Sequence, residues 1–279
     1  MYEYEIETMY NNDTVKEYVE AQKSLLKDEI DKLGINRKPH LSVFQVGNDH
    51  SSNSYVKGKI KDCNEVGIIC HHYHLDEDTT EEELLEFIEI ENKDFFVDGI
   101  IVQLPLPKHI DEKKIQLAIA PTKDVDGFHP MSKFKPCTPK GVIDFLKAQN
   151  YDFKGKNAVV VGRSDIVGKP LAQMLTDLNA TVTLCHSKTN HLNHFLIYAD
   201  ISFTCINQIE FFDYTNFSDD VIDIGLGIGK DNKLHGNIKK ESVNKLRTNG
   251  INVVSGIGGV GLLTRLTLLK NTFDAYKNN

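Results

Sequence analysis

Residues 158–175, AVVVGRSDIVGKPLAQML, place the tightest constraint on what this chain can fold into. A short apolar run of valines reads as a buried strand, Gly162 ends it in a turn, and Lys169-Pro170 open a helix, because proline suits a first helical position. A strand delivered through glycine into a helix start brings backbone N–H groups and the positive helix end together, where a dinucleotide pyrophosphate binds. The spacing, Gly162 followed by Gly168, is not G-x-G-x-x-G, and by itself fits an ordinary strand-to-helix turn equally well.

The next segment discriminates. Ala180 to Cys185 (ATVTLC) is the following strand, and it ends roughly 20 residues past the glycine turn, where such folds read the adenosine ribose. An acidic residue there would bond the 2′-hydroxyl of NAD. The chain supplies His186, Ser187 and Lys188, with Arg163 directly after the first glycine. Such donors suit a 2′-phosphate, which a carboxylate would repel, so NADP is indicated rather than NAD.

At 279 residues the chain suffices for one large or two medium domains. A formal net charge of -8 offers no electrostatic reason to bind nucleic acid or an anionic membrane. The first twenty residues show no cationic start followed by an apolar core, and no apolar run approaches the ~20 residues of a membrane span. The five cysteines, Cys63, Cys70, Cys137, Cys185 and Cys205, are odd in number and form no C-x-x-C pair, as expected of unpaired thiols in a reducing compartment, the cytoplasm.

Helical and strand patterns alternate from the start, the signature of parallel α/β units. Helices are expected over Thr14 to Leu33, with Asn12/Asp13 near the cap, over about Ser54 to Val66, and over the acidic stretch 79–92, capped by Thr79 or Thr80. Strands are expected at His40 to Gly47, at IICHHYHL and at DGIIVQLPLP. Thr138-Pro139 form an N-cap and first-turn pair for a connecting helix to about Ala148. Further strands follow at ADISFTC, VIDIGLG (Val221 to Gly227) and INVVSG, before a last helix from Leu262 to about Tyr276. The division expected is an α/β domain over 1–138, completed by helix 264–279, and a Rossmann-like nucleotide domain over 139–263.

Several side chains could carry chemistry. Tyr55 and Lys59 lie four apart on one helical face, a spacing that also suits a tyrosine resting on a lysine stem at the surface. Gln103 stands at the carboxyl end of a strand, where ligands of α/β sheets collect. Asp124 and Asp126 in KDVDG fit simple turn chemistry as well. His71, His72 and His74 lack a nearby motif for a further ligand, so a solvated strand end is expected and no metal site. Cys63 and Cys185 are expected to pack as small buried apolar groups, and Asp76 to Glu83 to start a helix.

Taken together, Y-x-x-x-K, V-Q-L-P-L-P, K-D-V-D-G, P-C-T-P-x-G, V-V-V-G-R-S-x-I-V-G-x-P, C-H-S-K-T and G-G-V-G-x-x-T resemble the bifunctional methylenetetrahydrofolate dehydrogenase/cyclohydrolase family, in its order and over most of the chain. The resemblance implies a two-domain α/β fold with folate in the cleft, NADP on the second domain and a homodimer formed through it. It implies oxidation of 5,10-methylenetetrahydrofolate with NADP, then hydrolysis of the methenyl cation to 10-formyltetrahydrofolate. By motif, Lys59 is the catalytic lysine, Tyr55 stacks near the folate ring, Gln103 orients the lysine and Asp126 anchors the pterin, with Leu104, Pro105 and Gly261 also at the substrate. Arg163 and Ser187 correspond to positions that hold the 2′-phosphate, and Gly162, Ser164, Ile166, Gly168, His186 and Thr189 complete the cofactor site.

The chain departs from the family pattern in identifiable places. The usual A-x-G-x-P becomes Cys205-Ile206-Asn207-Gln208-Ile209, T-P-V-P becomes Val254-Ser255-Gly256-Ile257, G-D-V becomes Gly236-Asn237-Ile238, and His50 replaces a proline. Lost glycines and prolines change loop stiffness, so nicotinamide placement is where a change is expected. The alternatives are a cyclohydrolase with weak or lost dehydrogenase activity and a non-catalytic folate- or nucleotide-binding paralogue.

Overall fold

The computed structural model describes residues 10–34 and 37–278. They divide into two compact units, one of Glu20–Cys137 with Arg265–Asn279, the other of Thr138–Thr264 with the described residues up to Val19. Residues 10–19, which the sequence division assigned to the first domain, therefore pack with the second half. The hydrogen bond from Tyr10 Oη to Asp220, 2.5 Å, shows why, since the phenol tip enters that half's core.

The first unit begins in α1 (Asn12–Asp31), which crosses the division, and holds β1 (His40–Val46), α2 (His50–Val66), β2 (Ile69–Leu75), α3 (Glu81–Lys93), β3 (Gly99–Val102) and α4 (Glu112–Ala118). Its sheet is parallel in the order β2-β1-β3. Every residue of β1 is buried, as a strand covered on both faces requires. Thr80 caps α3 in a reciprocal capping box with Glu83, and Glu81, Glu82 and Glu83 occupy the first turn, where the helix dipole favours them. Helix α2 starts earlier than expected, because Asp49 accepts from the Ser52 backbone N–H and nucleates the turn there. Helix α4 carried too short an apolar pattern to be read from the sequence.

The second unit continues with α5 (Cys137–Ala148), β4 (Asn157–Val161), α6 (Gly168–Asp177), β5 (Thr181–Cys185), α7 (Leu192–Leu196), β6 (Ile201–Thr204), β7 (Asp220–Asp223), β8 (Leu226–Ile228), β9 (Leu234–Gly236), α8 (Lys240–Thr248) and β10 (Val253–Val254). Thr138 proves to lie inside α5 and not at its cap, its hydroxyl 3.1 Å from that of Thr264. The sheet is wholly parallel, in the order β10-β7-β6-β4-β5. Strand β4 pairs with β5 on one side and with β6 on the other, so the connections diverge at β4, and ligands collect at the carboxyl ends beside such a switch point. The single strand expected over Val221 to Gly227 is broken after Asp223: Leu226 and Gly227 belong to β8, which pairs with β9 in a separate antiparallel hairpin only three residues wide on each side. The terminal α9 (Gly261–Lys277) enters the first unit from Arg265 onward, where Leu268, Leu269 and Phe273 join the core of Leu41, Val43, Val56 and Cys63.

Candidate active site

The register of α2 is set by its Asp49 cap, and it places Tyr55 and Lys59 on one face, the Lys59 Nζ 5.1 Å from the centre of the tyrosine ring. Lys59 is 5 % exposed, so it is not the solvated pair that the spacing alone allowed. Its Nζ donates to Gln103 Oε1 at 3.0 Å. Gln103 follows β3 directly, its backbone N–H bound to Phe44 O, and its Nε2 donates to Leu104 O at 2.7 Å. That second bond decides which end of the amide faces the lysine.

Asp126 arrives by another route. Ile100 N–H donates to Lys123 O at 2.8 Å, laying KDVDG along β3. Asp124 is consumed by the turn itself, accepting from the backbone N–H groups of Gly127 and His129. Asp126 is held in place by its neighbours: the Cys137 thiol donates to Val125 O at 3.3 Å, and the buried Asn271 of α9 donates to the same carbonyl at 2.9 Å. Sequence reasoning missed Asn271, whose signal was a polar residue inside the apolar stripe of the last helix. Leu104 is half-buried and Pro105 exposed beyond Gln103, while Gly261 is the first residue of α9 and belongs to the second unit.

Burial pushes the Lys59 ammonium below the usual lysine range, more strongly than the Asp126 carboxylate opposes it. Burial likewise raises the Asp126 carboxyl, against the lysine charge and the Cys137 thiol. A lysine displaced toward its neutral form and oriented by an amide oxygen can take a proton from a bound water and return it.

In the second unit, Gly162 stands at φ +129°, where a Cβ would lie 2.2 Å from Cys205 O, and a Cβ on Gly168 would lie 2.0 Å from Gly162 O. Both glycines are required by the turn's own packing. The start of α6 differs from expectation: Ser164 Oγ accepts from Val167 and Gly168 N–H at 3.2 and 3.3 Å, Ser164 O accepts from Lys169 N–H at 3.1 Å, and Pro170 has no N–H. The helix's own first donors are thus spent within the turn. The backbone N–H groups of Arg163, Ser164 and Ile166 have no acceptor among the described residues, and the exposed Arg163 guanidinium makes no ion pair there.

Gly162 N–H bonds Cys185 O at 2.9 Å, so the turns after β4 and β5 emerge side by side. Thr189 Oγ1 accepts from His186 N–H at 2.8 Å and holds the second turn shut, leaving Ser187 and Lys188 exposed at its tip. No carboxylate stands between His186 and Thr189. Backbone donors, a guanidinium, a hydroxyl and an ammonium at neighbouring strand ends fit a polyanionic dinucleotide bearing a further phosphate.

The histidines of β2 are exposed, as expected of a solvated strand end, and two of them also bond the backbone or side chain of β1 and its following turn. His72 lies 3.1 Å from Gln45 Oε1, His74 2.9 Å from Gly47 O, their rings stack, and His71 meets His40 edge-on. No group of three metal-binding side chains occurs among the described residues. Cys63 and Cys185 are fully buried.

Comparison with known proteins agrees in both halves. Residues 13–126 match the family model described as tetrahydrofolate dehydrogenase/cyclohydrolase, catalytic domain, and residues 136–279 match its NAD(P)-binding domain. The bifunctional protein FolD of Ruminiclostridium cellulolyticum is 46% identical over 267 residues, covering 91% of this chain and 92% of that protein. The crystal structure of the bifunctional methylenetetrahydrofolate dehydrogenase/cyclohydrolase of Campylobacter jejuni superposes with a TM-score of 0.89 at 37% identity, over 97% of this chain and 99% of that one. The Trypanosoma brucei enzyme, solved with NADP cofactor and inhibitor, gives a TM-score of 0.88 at 27% identity, over 97% of each chain.

Proposed function

The chain belongs to the tetrahydrofolate dehydrogenase/cyclohydrolase family, and on that premise we propose that it oxidises 5,10-methylenetetrahydrofolate to the 5,10-methenyl form with NADP and hydrolyses that form to 10-formyltetrahydrofolate. The observation that carries the reading is the buried Lys59, bound to Gln103 Oε1 and facing the charge of Asp126.

The two half-reactions ask for different things. In the first, a folate nitrogen lone pair expels hydride from the methylene carbon, NADP supplies the acceptor, and the protein's task is alignment. Arg163 and Ser187 would hold the 2′-phosphate, with Gly162, Ser164, Ile166, Gly168, His186 and Thr189 shaping the turns around the rest. In the second, water attacks the methenyl carbon and must lose a proton, and a ring nitrogen must gain one as its bond to that carbon opens. Lys59, neutral beside a cationic substrate, takes the first proton and supplies the second, so it leaves the cycle unchanged. Gln103 keeps the amine aimed, Tyr55 offers a ring face, and Asp126 offers a carboxylate to the donor edge of a pterin, near Leu104 and Pro105. Gly261 completes the substrate residues.

The test is a paired absorbance assay on the purified protein. Methylenetetrahydrofolate with NADP should yield reduced cofactor faster than with NAD, and methenyltetrahydrofolate should lose its absorbance. Hydrolysis without hydride transfer would reduce the function to a cyclohydrolase, and silence in both would leave a binding paralogue. A cytoplasmic homodimer is the expected form, supported by unpaired thiols and by the exposed Leu226, Ile228 and Leu234 of the β8–β9 hairpin in the nucleotide unit. A monomer by light scattering at micromolar concentration would exclude the dimer.

A further inference from the structure

Two of the departures from the family pattern meet in space. Asn237, directly after β9, is fully buried. Its Nδ2 donates to Ile206 O at 2.8 Å and to Gln208 O at 2.9 Å, while its Oδ1 accepts from Ile206 N–H at 3.0 Å. Both amide hydrogens and the amide oxygen are therefore spent on the backbone of the segment that follows β6, the one lacking the family's glycine and proline. The amide cannot be turned over, because its oxygen would then face two carbonyl oxygens.

Asn237 is itself anchored from behind. Its backbone N–H donates to Asp223 Oδ1 at 3.1 Å, and Thr204 Oγ1 donates to the same oxygen at 2.7 Å. Phe212 N–H donates to Asn237 O at 2.9 Å. A Cβ on Gly225 would lie 2.2 Å from Asn237 Oδ1 and 2.5 Å from Ile206 O, so only glycine at 225 lets the carboxamide reach this backbone. The anchor starts at Thr204, the last residue of β6, and returns to Ile206 and Gln208 just beyond it.

From this geometry we infer that Asn237 is a positioning residue for hydride transfer: its carboxamide sets the backbone of Ile206–Gln208 at the carboxyl end of β6 in place of the missing glycine and proline. The two departures are one coupled change. The inference rests on the proposed dehydrogenase activity, since the segment matters only if it borders the nicotinamide half of NADP. A carboxylate at 237 would keep the shape, remove both donors and set oxygen against oxygen in a buried site, where leaving such groups unpaired is costly. The adenosine half of the cofactor would meet Arg163 and Ser187, so a change confined to Ile206–Gln208 should spare it.

The experiment compares wild type with N237D in dehydrogenase and cyclohydrolase assays, and measures affinity for NADP and for 2′,5′-ADP by titration calorimetry. Expected for N237D is a dehydrogenase kcat about tenfold or more below wild type, weaker NADP binding, unchanged 2′,5′-ADP binding and cyclohydrolase within about twofold of wild type. A second variant restores the segment with Cys205→Ala, Asn207→Gly and Ile209→Pro. That variant alone should also lose dehydrogenase activity, and combining it with N237D should recover most of it. Retention of dehydrogenase kcat in N237D would overturn the inference, as would equal loss of 2′,5′-ADP affinity or simple additivity in the combined variant. A wild type that hydrolyses methenyltetrahydrofolate but transfers no hydride would instead overturn the dehydrogenase reading beneath it.

Discussion

The Lys59 cluster and the Gly162 turn are built on opposite plans. Around Lys59 the groups already act on one another: amine on amide, amide on carbonyl, and lysine and the Asp126 carboxylate through their opposite charges. Around Gly162 the packing is equally tight, yet the exposed guanidinium of Arg163 and the backbone N–H groups of Arg163, Ser164 and Ile166 have no acceptor among the described residues. Handling a proton requires a pKa tuned before substrate arrives, so that machinery must be buried and satisfied. Holding a phosphate requires donors that water can leave, so that machinery stays at the surface.

Breaking the first plan should have the largest effect. Lys59→Met should lower cyclohydrolase turnover by about 100-fold to 10,000-fold, the usual range for a positioned acid-base, while hydride transfer falls by no more than about tenfold. Full cyclohydrolase activity in that variant would remove the lysine from the mechanism. Breaking the second plan should cost less and in a different parameter. Arg163→Ala should raise KM for NADP by about 10- to 100-fold, as expected for one charge-assisted hydrogen bond, and leave the weaker reaction with NAD unchanged. An equal loss with both cofactors would mean that the guanidinium does not read the 2′-phosphate.

The interior of the nucleotide unit sharpens the contrast. Burial raises the Asp223 carboxyl from 3.8 to about 6, its bonds from Thr204, Ile238 and Asn237 only partly offsetting the cost. The folded state therefore binds this proton more tightly than the unfolded one. Its stabilising effect is fully present below about pH 4 and lost as pH rises through about 6, by at most about 3 kcal/mol. Urea melts of wild type and Asp223→Asn across that window should diverge on the alkaline side, the variant being flatter; parallel curves would contradict the shift. A subtler change tests the Lys59 side. Asp126→Asn removes the charge that favours the ammonium, so the acidic limb of the cyclohydrolase kcat profile should move to still lower pH. Movement upward would show that Asp126 does not face the lysine in the substrate complex. The smallest effect belongs to the frame: Thr80→Ala should cost about 1 kcal/mol in a denaturant melt and leave both KM values alone.

Much of the site was legible in the sequence because its parts lie on regular elements. Tyr55 and Lys59 show their shared face through helical spacing, and Gln103 shows its place through the strand it ends. Asn271 was not legible, since a single asparagine in an apolar helix announces no partner, and its bond to Val125 O spans more than half the chain. The role of Ser164 was hidden for a different reason. A glycine-rich turn before a helix suggests open N–H groups, and only coordinates reveal that a hydroxyl within the turn has taken them. The β8–β9 hairpin and α4 escaped because their apolar patterns are too short to define a period.

By itself, then, the sequence determined the alternation of strand and helix, the two parallel sheets and the residue types at the strand ends, because periodicity and turn chemistry are local properties. The tertiary structure decided which of those residues are buried together. Burial depends on contacts distant in the chain, and it is burial that turns Lys59 from a surface cation into a base and Asn237 from a lost acid into a clamp.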